Sequence, residues 1–235
     1  MINERLRAAA MAAAVVAVGF VGYALGTWSG PAGSPAAAET PVVEDPPAAP
    51  APAAGTGRDA LTPTEIAIAR ELAVDAALRA ETTDVTGAPG PELLSVALAG
   101  GDGPRRAAVL LYDYRDDRLI KRVIDLAGRA VAGSFSATDR QPPPTEREVT
   151  TATDLLWADP AAKLLRERFH TATGRDLTAR SDVEVEAQTV PDGTGAAAAC
   201  GAHRCLMLLP RPRDAAYLDL TDLVIDLSTR TVVQR

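Results

Sequence analysis

The sequence contains few cysteines, histidines, lysines and aromatic residues. Two cysteines and two histidines would all be consumed by a single structural zinc site, which argues against zinc-dependent folding. Aromatic residues make up 4% of the chain, so a core must consist of Leu, Val, Ile and Ala. A net charge of -7 excludes a typical nucleic-acid binder, which needs clustered Lys and Arg. Only Lys121 and Lys163 are lysines, which indicates a GC-rich bacterial genome.

The N-terminal region has the pattern of a membrane or export segment. Ala8–Trp28 is an uncharged stretch of 21 residues, and a bilayer core of about 30 Å needs roughly 20 apolar residues. Arg5 and Arg7 precede it, which orients the N-terminus towards the cytoplasm. We favour an uncleaved signal-anchor helix at 1–28. The alternative is a signal peptide cleaved after Ala36–Ala38.

Either interpretation places the rest of the chain outside the cytoplasm. We expect a single-pass protein of the cell membrane, or a secreted protein if the leader is removed. Residues 29–60 form a predicted disordered linker, because 7 of the 18 prolines fall between Pro31 and Pro52 among Ala and Gly. Such a segment buries too little apolar area to offset the entropy of ordering.

The remainder contains the same signals twice, in the same order. Thr62 and Glu65 form a predicted capping box at the start of a helix, and Thr145 and Glu148 repeat it. The pattern V-I-D-L-x-x-R-x-V occurs at 123–131 and again at 224–232. The same sequence patterns in the same order in both halves indicate an internal duplication.

Each repeat has a helix followed by short strands separated by turns, which is typical of an α+β unit with an antiparallel sheet. We predict units at 61–140 and 141–235, with an additional helix at about 160–171 in the second. The predicted strands are Leu93–Ala99, Ala107–Tyr114, Arg118–Leu126 and Arg129–Phe135, then Val183–Val190, Ala196–Cys200, Cys205–Leu209, Tyr217–Leu227 and Arg230–Gln234.

These capping segments resemble a known family. Residues 60–66, Ala-Leu-Thr-Pro-Thr-Glu-Ile, resemble the start of the N2 domain of copper amine oxidases. Residues 141–148, with Asp159-Pro160 further on, resemble the start of their N3 domain. The resemblance covers about 60–235, and it implies two tandem cystatin-like units, each a helix wrapped by an antiparallel sheet.

The resemblance implies no catalytic activity. In that family a separate β-sandwich supplies three copper-binding histidines and a tyrosine in an Asn-Tyr-Asp/Glu context. This sequence has only His170 and His203, and none of its tyrosines follows an asparagine. We therefore expect a protein that is not an enzyme, with no catalytic, cofactor-binding or metal-binding residue and no cofactor.

The segment from Cys200 to Cys205 is the most specific local motif, because it contains both cysteines and one of the two histidines. If Ala196–Cys200 and Cys205–Leu209 pair as a hairpin, the two cysteines face each other at a distance suited to a disulfide. An oxidising compartment favours that bond. The alternative is a soft-metal site for Cu(I) or Zn, formed by Cys200, His203 and Cys205.

The other chemically capable residues have simpler interpretations. His170 lies near a predicted helix C-terminus, where an exposed histidine is favoured by the helix dipole. Asp125 and Asp226 could pair as general acid and base. They occupy equivalent positions just before turns in the two repeats, and capping of those turns is the interpretation we favour.

We therefore expect a non-enzymatic, membrane-tethered binding or scaffolding module of the bacterial cell envelope. Its partner would be an unidentified envelope protein, with the membrane contacted through the N-terminal helix and no nucleic acid bound. The alternative is a copper-handling or metal-handling accessory, or a non-catalytic subunit, related to copper amine oxidases.

Overall fold

The computed structural model describes residues 54–101 and 103–235. The predicted membrane segment at 1–28 and most of the predicted linker at 29–60 lie outside these residues. In the part of the chain that is described, no helix is both long and apolar enough to cross a membrane. The described residues all belong to one compact unit, which contains both repeats.

The first repeat packs one main helix against a four-stranded antiparallel sheet. The strand order is β1-β2-β3-β4, so each strand pairs with its neighbour in sequence. The elements are α1 Pro63–Ala73, α2 Ala76–Glu81, β1 Glu92–Leu98, β2 Arg106–Asp113, β3 Arg118–Asp125 and β4 Ala130–Ala137.

The second repeat has the same layout with a longer second helix. Its sheet is also antiparallel, in the order β5-β6-β7-β8. The elements are α3 Glu146–Ala158, α4 Ala162–Thr173, β5 Val183–Thr189, β6 Cys205–Pro212, β7 Leu223–Asp226 and β8 Thr231–Gln234. The α+β class and the two antiparallel sheets agree with the sequence-based expectation.

One predicted strand was wrong, a second was predicted too long, and one helix was missed. Ala196–Cys200 is not a strand; its Gly- and Ala-rich sequence forms a short 3₁₀ turn at Gly195–Ala197 instead, because alanine has little preference for extended backbone. The predicted strand Tyr217–Leu227 is reduced to β7. The helix α2 was missed because six residues are too few for a periodic pattern, although Asp75 caps it by accepting from the N–H of Leu78 at 2.8 Å.

Both predicted capping boxes are present. Thr62 and Thr145 each accept a hydrogen bond from the backbone N–H of the glutamate three residues later, and that glutamate accepts one from the backbone N–H of the threonine. The two reciprocal bonds satisfy N–H groups that a helix start leaves unpaired. The sequence signal therefore located the starts of α1 and α3.

The two repeats share part of their hydrophobic core. One cluster joins α1 to the inner face of the first sheet, and it is small because the helix contributes mainly Ala69 and Ala73. The larger cluster joins α3 and α4 to the second sheet, and it also takes in Tyr112 and Tyr114 at the end of β2. These tyrosines attach the first sheet to the second repeat.

A fully buried ion pair lies beside the tyrosines. Arg204 and Glu148 are both 0% exposed. Arg204 Nε donates to Glu148 Oε1 at 2.5 Å and Nη2 donates to Oε2 at 2.9 Å. The Tyr114 hydroxyl and the Thr145 N–H donate to the same carboxylate at 2.5 and 2.7 Å. Burial alone would raise the pKa of Glu148, but Arg204 and these donors outweigh it and the pKa is lowered.

The same arginine also holds the chain that leads into α3. Its guanidinium donates to the carbonyl oxygens of Pro142 and Pro143 at 3.1 and 3.4 Å and to the Gln141 side chain at 3.3 Å. The guanidinium carbon lies 5.1 Å from the centre of the Tyr112 ring, within range of a cation–π contact. Arg204 therefore connects β6, α3, β2 and the segment between the repeats.

The first repeat contains the equivalent pair, closer to solvent. Arg105 Nε and Nη2 donate to Glu65 Oε1 and Oε2 at 2.7 and 2.9 Å. Arg105 also donates to the carbonyl oxygens of Gly57, Asp59 and Ala60, each at 3.0 Å. The hydrogen bond from Arg105 is the main reason that the pKa of Glu65 falls to about 2.

We expect Arg204→Leu to lower the free energy of unfolding by roughly 3–5 kcal/mol, because it leaves the Glu148 carboxylate buried without its cation. Arg105→Leu is the matched control, since the Arg105 side chain is 13% exposed and water can reach its partner more easily. Urea unfolding of the two variants measures the difference. Equal losses, or a larger loss for Arg105→Leu, would contradict the assigned role of Arg204.

Candidate functional site

The structure joins Cys200 and Cys205 by a disulfide, with their Cα atoms 5.5 Å apart. The predicted bond is present, but the predicted hairpin is not. Cys200 ends an irregular turn and Cys205 begins β6. Gly201 has φ of +108°, and a Cβ there would lie 2.5 Å from the Pro191 carbonyl oxygen. The close approach of this loop to Pro191 therefore requires glycine.

His203 lies inside the loop that the disulfide closes, and its ring faces the turn between β7 and β8. Its Nδ1 is 2.8 Å from Asp226 Oδ2. This hydrogen bond raises the pKa of His203, and the charges of Asp226 and Asp117 act in the same direction. The other carboxylate oxygen, Asp226 Oδ1, accepts from the backbone N–H groups of Ser228 and Thr229 at 3.0 and 3.1 Å.

Asp125 caps the matching turn of the first repeat. Its Oδ1 accepts from the N–H groups of Ala127 and Gly128 at 3.0 and 2.9 Å. The two aspartates therefore lie in different sheets and each stabilises its own turn, as we favoured from their positions in the sequence. The structure does not bring them together as a general acid and base.

A second aspartate lies close to the loop. Asp117 accepts hydrogen bonds from the Ser228 hydroxyl and, at 3.2 Å, from the Tyr112 hydroxyl. Its burial raises the pKa of the carboxyl group. Ser228 Oγ in turn accepts a hydrogen bond from the backbone N–H of Arg204 at 3.0 Å. This chain of contacts fastens the turn between β2 and β3 to the turn between β7 and β8.

The alternative metal site is not formed. Both sulfur atoms that it requires are bonded to each other, and a soft metal ion needs thiolates. Across residues 54–101 and 103–235, no group of three or more His, Cys, Asp and Glu side chains has a metal-binding arrangement. His170 lies apart from the loop, exposed in the last turn of α4 with Nδ1 3.1 Å from Asp176 Oδ1.

An open groove of about 770 Å³ runs beside the disulfide loop. One wall is the segment between the repeats and the other is the loop itself. Gln141 fixes their spacing, because its Nε2 donates to the carbonyl oxygens of Gly201 and His203 at 3.4 and 3.2 Å. The lining residues are Leu119, Asp139, Arg140, Gln141, Pro142, Pro191, Asp192, Cys200, Gly201 and Ala202.

The strand β4 is the most accessible edge of either sheet. Within the described residues it has a hydrogen-bonded neighbour on one side only. Seven of its eight residues are exposed, and Gly133 is the exception. Phe135 is 61% and Val131 is 41% exposed, which is unusual for large apolar side chains. No residue of β4 is charged.

The other edges are less open to a further strand. Glu184 and Glu186 place negative charges along β5, and β8 has only four residues. At β1, Glu92 is paired with Arg147 of α3 at 2.8 Å. Proteins usually prevent edge pairing by charges, short strands, bulges or a covering segment. The strand β4 is uncharged and eight residues long, and it has one irregularity, at Ala132.

The sequence analysis located the two cysteines and the two helix-capping glutamates. It missed the arginines that bind those glutamates, and it missed the edge position of β4. The arginines did leave a signal. Arg105 and Arg204 each lie immediately before the second strand of their repeat. The alternation of β4 did not reveal its exposure, because strand order is a tertiary property.

We expect the double substitution of Cys200 and Cys205 by serine to lower the free energy of unfolding by about 2 kcal/mol, the value for closing so short a loop. Wild-type protein treated with a reductant should show the same loss, and the variant should not respond to the reductant. Urea unfolding provides the measurement. A variant as stable as the oxidised wild type would show that the bond contributes nothing.

We expect Asp226→Asn to lower the pKa of His203 towards 6.5, its ordinary value. Asparagine retains an oxygen that can accept from Ser228 and Thr229. Because the folded pKa of His203 is raised, its contribution to stability is complete below the unfolded pKa and disappears as the pH rises through the folded pKa. NMR titration of the two histidines measures this, with His170 as the internal control. An unchanged His203 titration would refute the role of Asp226.

Comparisons with known proteins give a distant structural likeness. No protein-family model matches the sequence, and no curated protein matches it. Among solved structures, the chain is similar to a copper-containing benzylamine oxidase from Hansenula polymorpha, with a TM-score of 0.43 and 12% identity. The match covers 75% of this chain and 29% of that chain, so this chain spans less than a third of its length. The neighbour belongs to the family that the capping motifs resemble, and similarity at this level carries no inference about activity.

Proposed function

We propose that this chain is a non-enzymatic binding module of the bacterial cell envelope that takes up an extended strand of a partner protein along β4. Residues 1–28 would tether it to the membrane, and the predicted linker up to residue 53 would hold the folded part away from the bilayer, because residues 55–60 contact Arg105 and Glu65 of the first repeat. The observation that carries the proposal is the exposed, uncharged edge of β4. The cystatin-like description of the two repeats is part of the same proposal.

Strand addition follows from the chemistry of an open sheet edge. Such an edge presents a row of backbone N–H and C=O groups that a further strand can pair with. Main-chain hydrogen bonds give affinity, and alternate side chains give specificity. On β4 the apolar side chains Val131 and Phe135 are available for that second role.

The rest of the first sheet provides a firm support for such an edge. The neighbouring strand β3 pairs with β4 from Leu119 to Asp125. Arg122 of β3 is anchored to Asp75 at the start of α2, with Nη1 2.9 Å from Oδ2. Pairing with β3 already orders β4, so β4 loses less conformational entropy when it accepts a partner than an unpaired segment would.

The metal-handling alternative has less support. It requires free thiols at Cys200 and Cys205, whereas the structure joins them. An intact-mass measurement without reductant, with and without added copper, separates the two functions. Retained copper on a reduced loop would favour the accessory role.

The test is photo-crosslinking in intact cells of the native host. A photoreactive residue replaces Ser134 in the middle of β4, and the matched control replaces Ser95, which is exposed on β1 at the opposite edge of the same sheet. We expect a discrete protein product from position 134 and little from position 95. Adding Phe135→Lys should reduce that product, because a charge would stand on the binding edge.

Two results would overturn the proposed function. One is the absence of any product at position 134 while the protein is folded and correctly located. The other is an equal yield at positions 134 and 95, which would show that β4 is not a preferred contact.

A further inference from the structure

We propose that the strand added to β4 is β4 of a second copy of this chain, in an antiparallel pair centred on Ser134. This inference rests on the proposed function and names its partner. It would join two four-stranded sheets into one continuous sheet with a two-fold axis. The register and the uncharged side chains of β4 favour this partner.

The register of β4 against β3 shows which side chains share a face. Phe135 lies opposite Lys121 and Gly133 lies opposite Val123, so Phe135 and Gly133 are on the same face of the sheet. Ser134 lies opposite Arg122 and points to the other face. Residues directly opposite each other in an antiparallel pair are on the same face, so a two-fold axis normal to the sheet must pass through a residue that meets its own copy.

Centring the axis on Ser134 gives a favourable set of neighbours. Phe135 of each copy then faces Gly133 of the other. In the single chain the Phe135 ring already lies over Gly133, where a Cβ would be 3.1 Å from its Cε2 atom. Aromatic side chains that cover glycines are a known way to stabilise a sheet. The two Ser134 hydroxyls meet at the axis, where a hydrogen bond between them is possible.

The proposed pairing ends where β4 ends. Arg129 precedes the strand and Asp139 follows it, and both have positive φ in turns, so neither extends the strand register. An irregularity at the Val123 and Ile124 pairs leaves Ala132 as an extra residue in β4. The pairing therefore involves the uncharged residues on either side of Ser134, and it places no charged side chain opposite another.

A second copy also explains why an open edge is tolerable. The chain carries a net charge of -7, yet no residue of β4 is charged, so two copies meet there without direct repulsion. The two-fold pairing consumes both β4 edges at once and leaves none for further addition. The assembly therefore stops at two copies, whereas a head-to-tail contact would continue.

The test is cysteine crosslinking of the full-length chain in native membranes. Ser134→Cys places the two sulfurs at the axis, where Cα separations of about 4.5–5.5 Å permit a disulfide. Ser136→Cys is the matched control on the same strand and the same face. Its two copies would lie four residues apart along the strands, about 13 Å, which is too far for a disulfide.

After mild oxidation, we expect Ser134→Cys to give at least about tenfold more covalent dimer than Ser136→Cys or than Ser95→Cys on β1. Ser134→Asp should abolish the photo-crosslinked dimer, obtained with the photoreactive residue at position 136, because it places two like charges at the axis. All these positions are exposed in the single chain, so the substitutions should not prevent folding.

The outcomes separate this inference from the proposed function. A photo-crosslinked product from position 134 at twice the mass of the chain supports both. A product of another mass, with no Ser134→Cys dimer, leaves the binding function intact and overturns self-pairing. Equal dimer from all three cysteine variants would reflect random collision or contact elsewhere, and it also overturns self-pairing. No product of either kind overturns both.

Discussion

The buried pair of Arg204 and Glu148 is the interaction on which the rest of the described structure depends. One carboxylate caps α3, receives the Tyr114 hydroxyl from the first sheet and binds the guanidinium of Arg204 from the second. Burying two charges is costly unless nearly every donor and acceptor is satisfied. That requirement constrains the helix start, the sheet and the connecting segment to one arrangement, which a purely apolar contact would not do.

An arginine binds the capping glutamate in both repeats, but the two pairs differ in burial. Glu65 and Arg105 reproduce the pair and hold the chain that leads into α1. The first pair lies nearer to solvent because the first core is smaller and its helix contributes alanines. Tyr112 and Tyr114 extend the larger core into the first sheet. The first repeat is therefore stabilised in part by the second, with Asp117 and Ser228 linking their turns.

This arrangement leaves β4 at the far edge of the first sheet, where neither helix nor loop of the described residues pairs with it. The disulfide loop, His203 and the groove lie at the junction of the repeats, where hydrogen bonds from Gln141 and Asp226 hold them in place. The polar groups of that loop already have hydrogen-bond partners within the chain. The edge of β4 has no paired strand on its outer side among the described residues, so it is the better candidate for binding.

The sequence by itself determined the α+β class with antiparallel sheets and the starts of α1 and α3, and it favoured the disulfide between Cys200 and Cys205. The helix starts and the disulfide depend on local chemistry, since a threonine side chain accepts from the backbone N–H of the glutamate three residues later and two nearby cysteines need only a tight loop. Only the tertiary structure decided that the capping glutamates bind Arg105 and Arg204 and that β4 is an open edge. Those outcomes depend on which segments meet across tens of residues, and no local spacing encodes that.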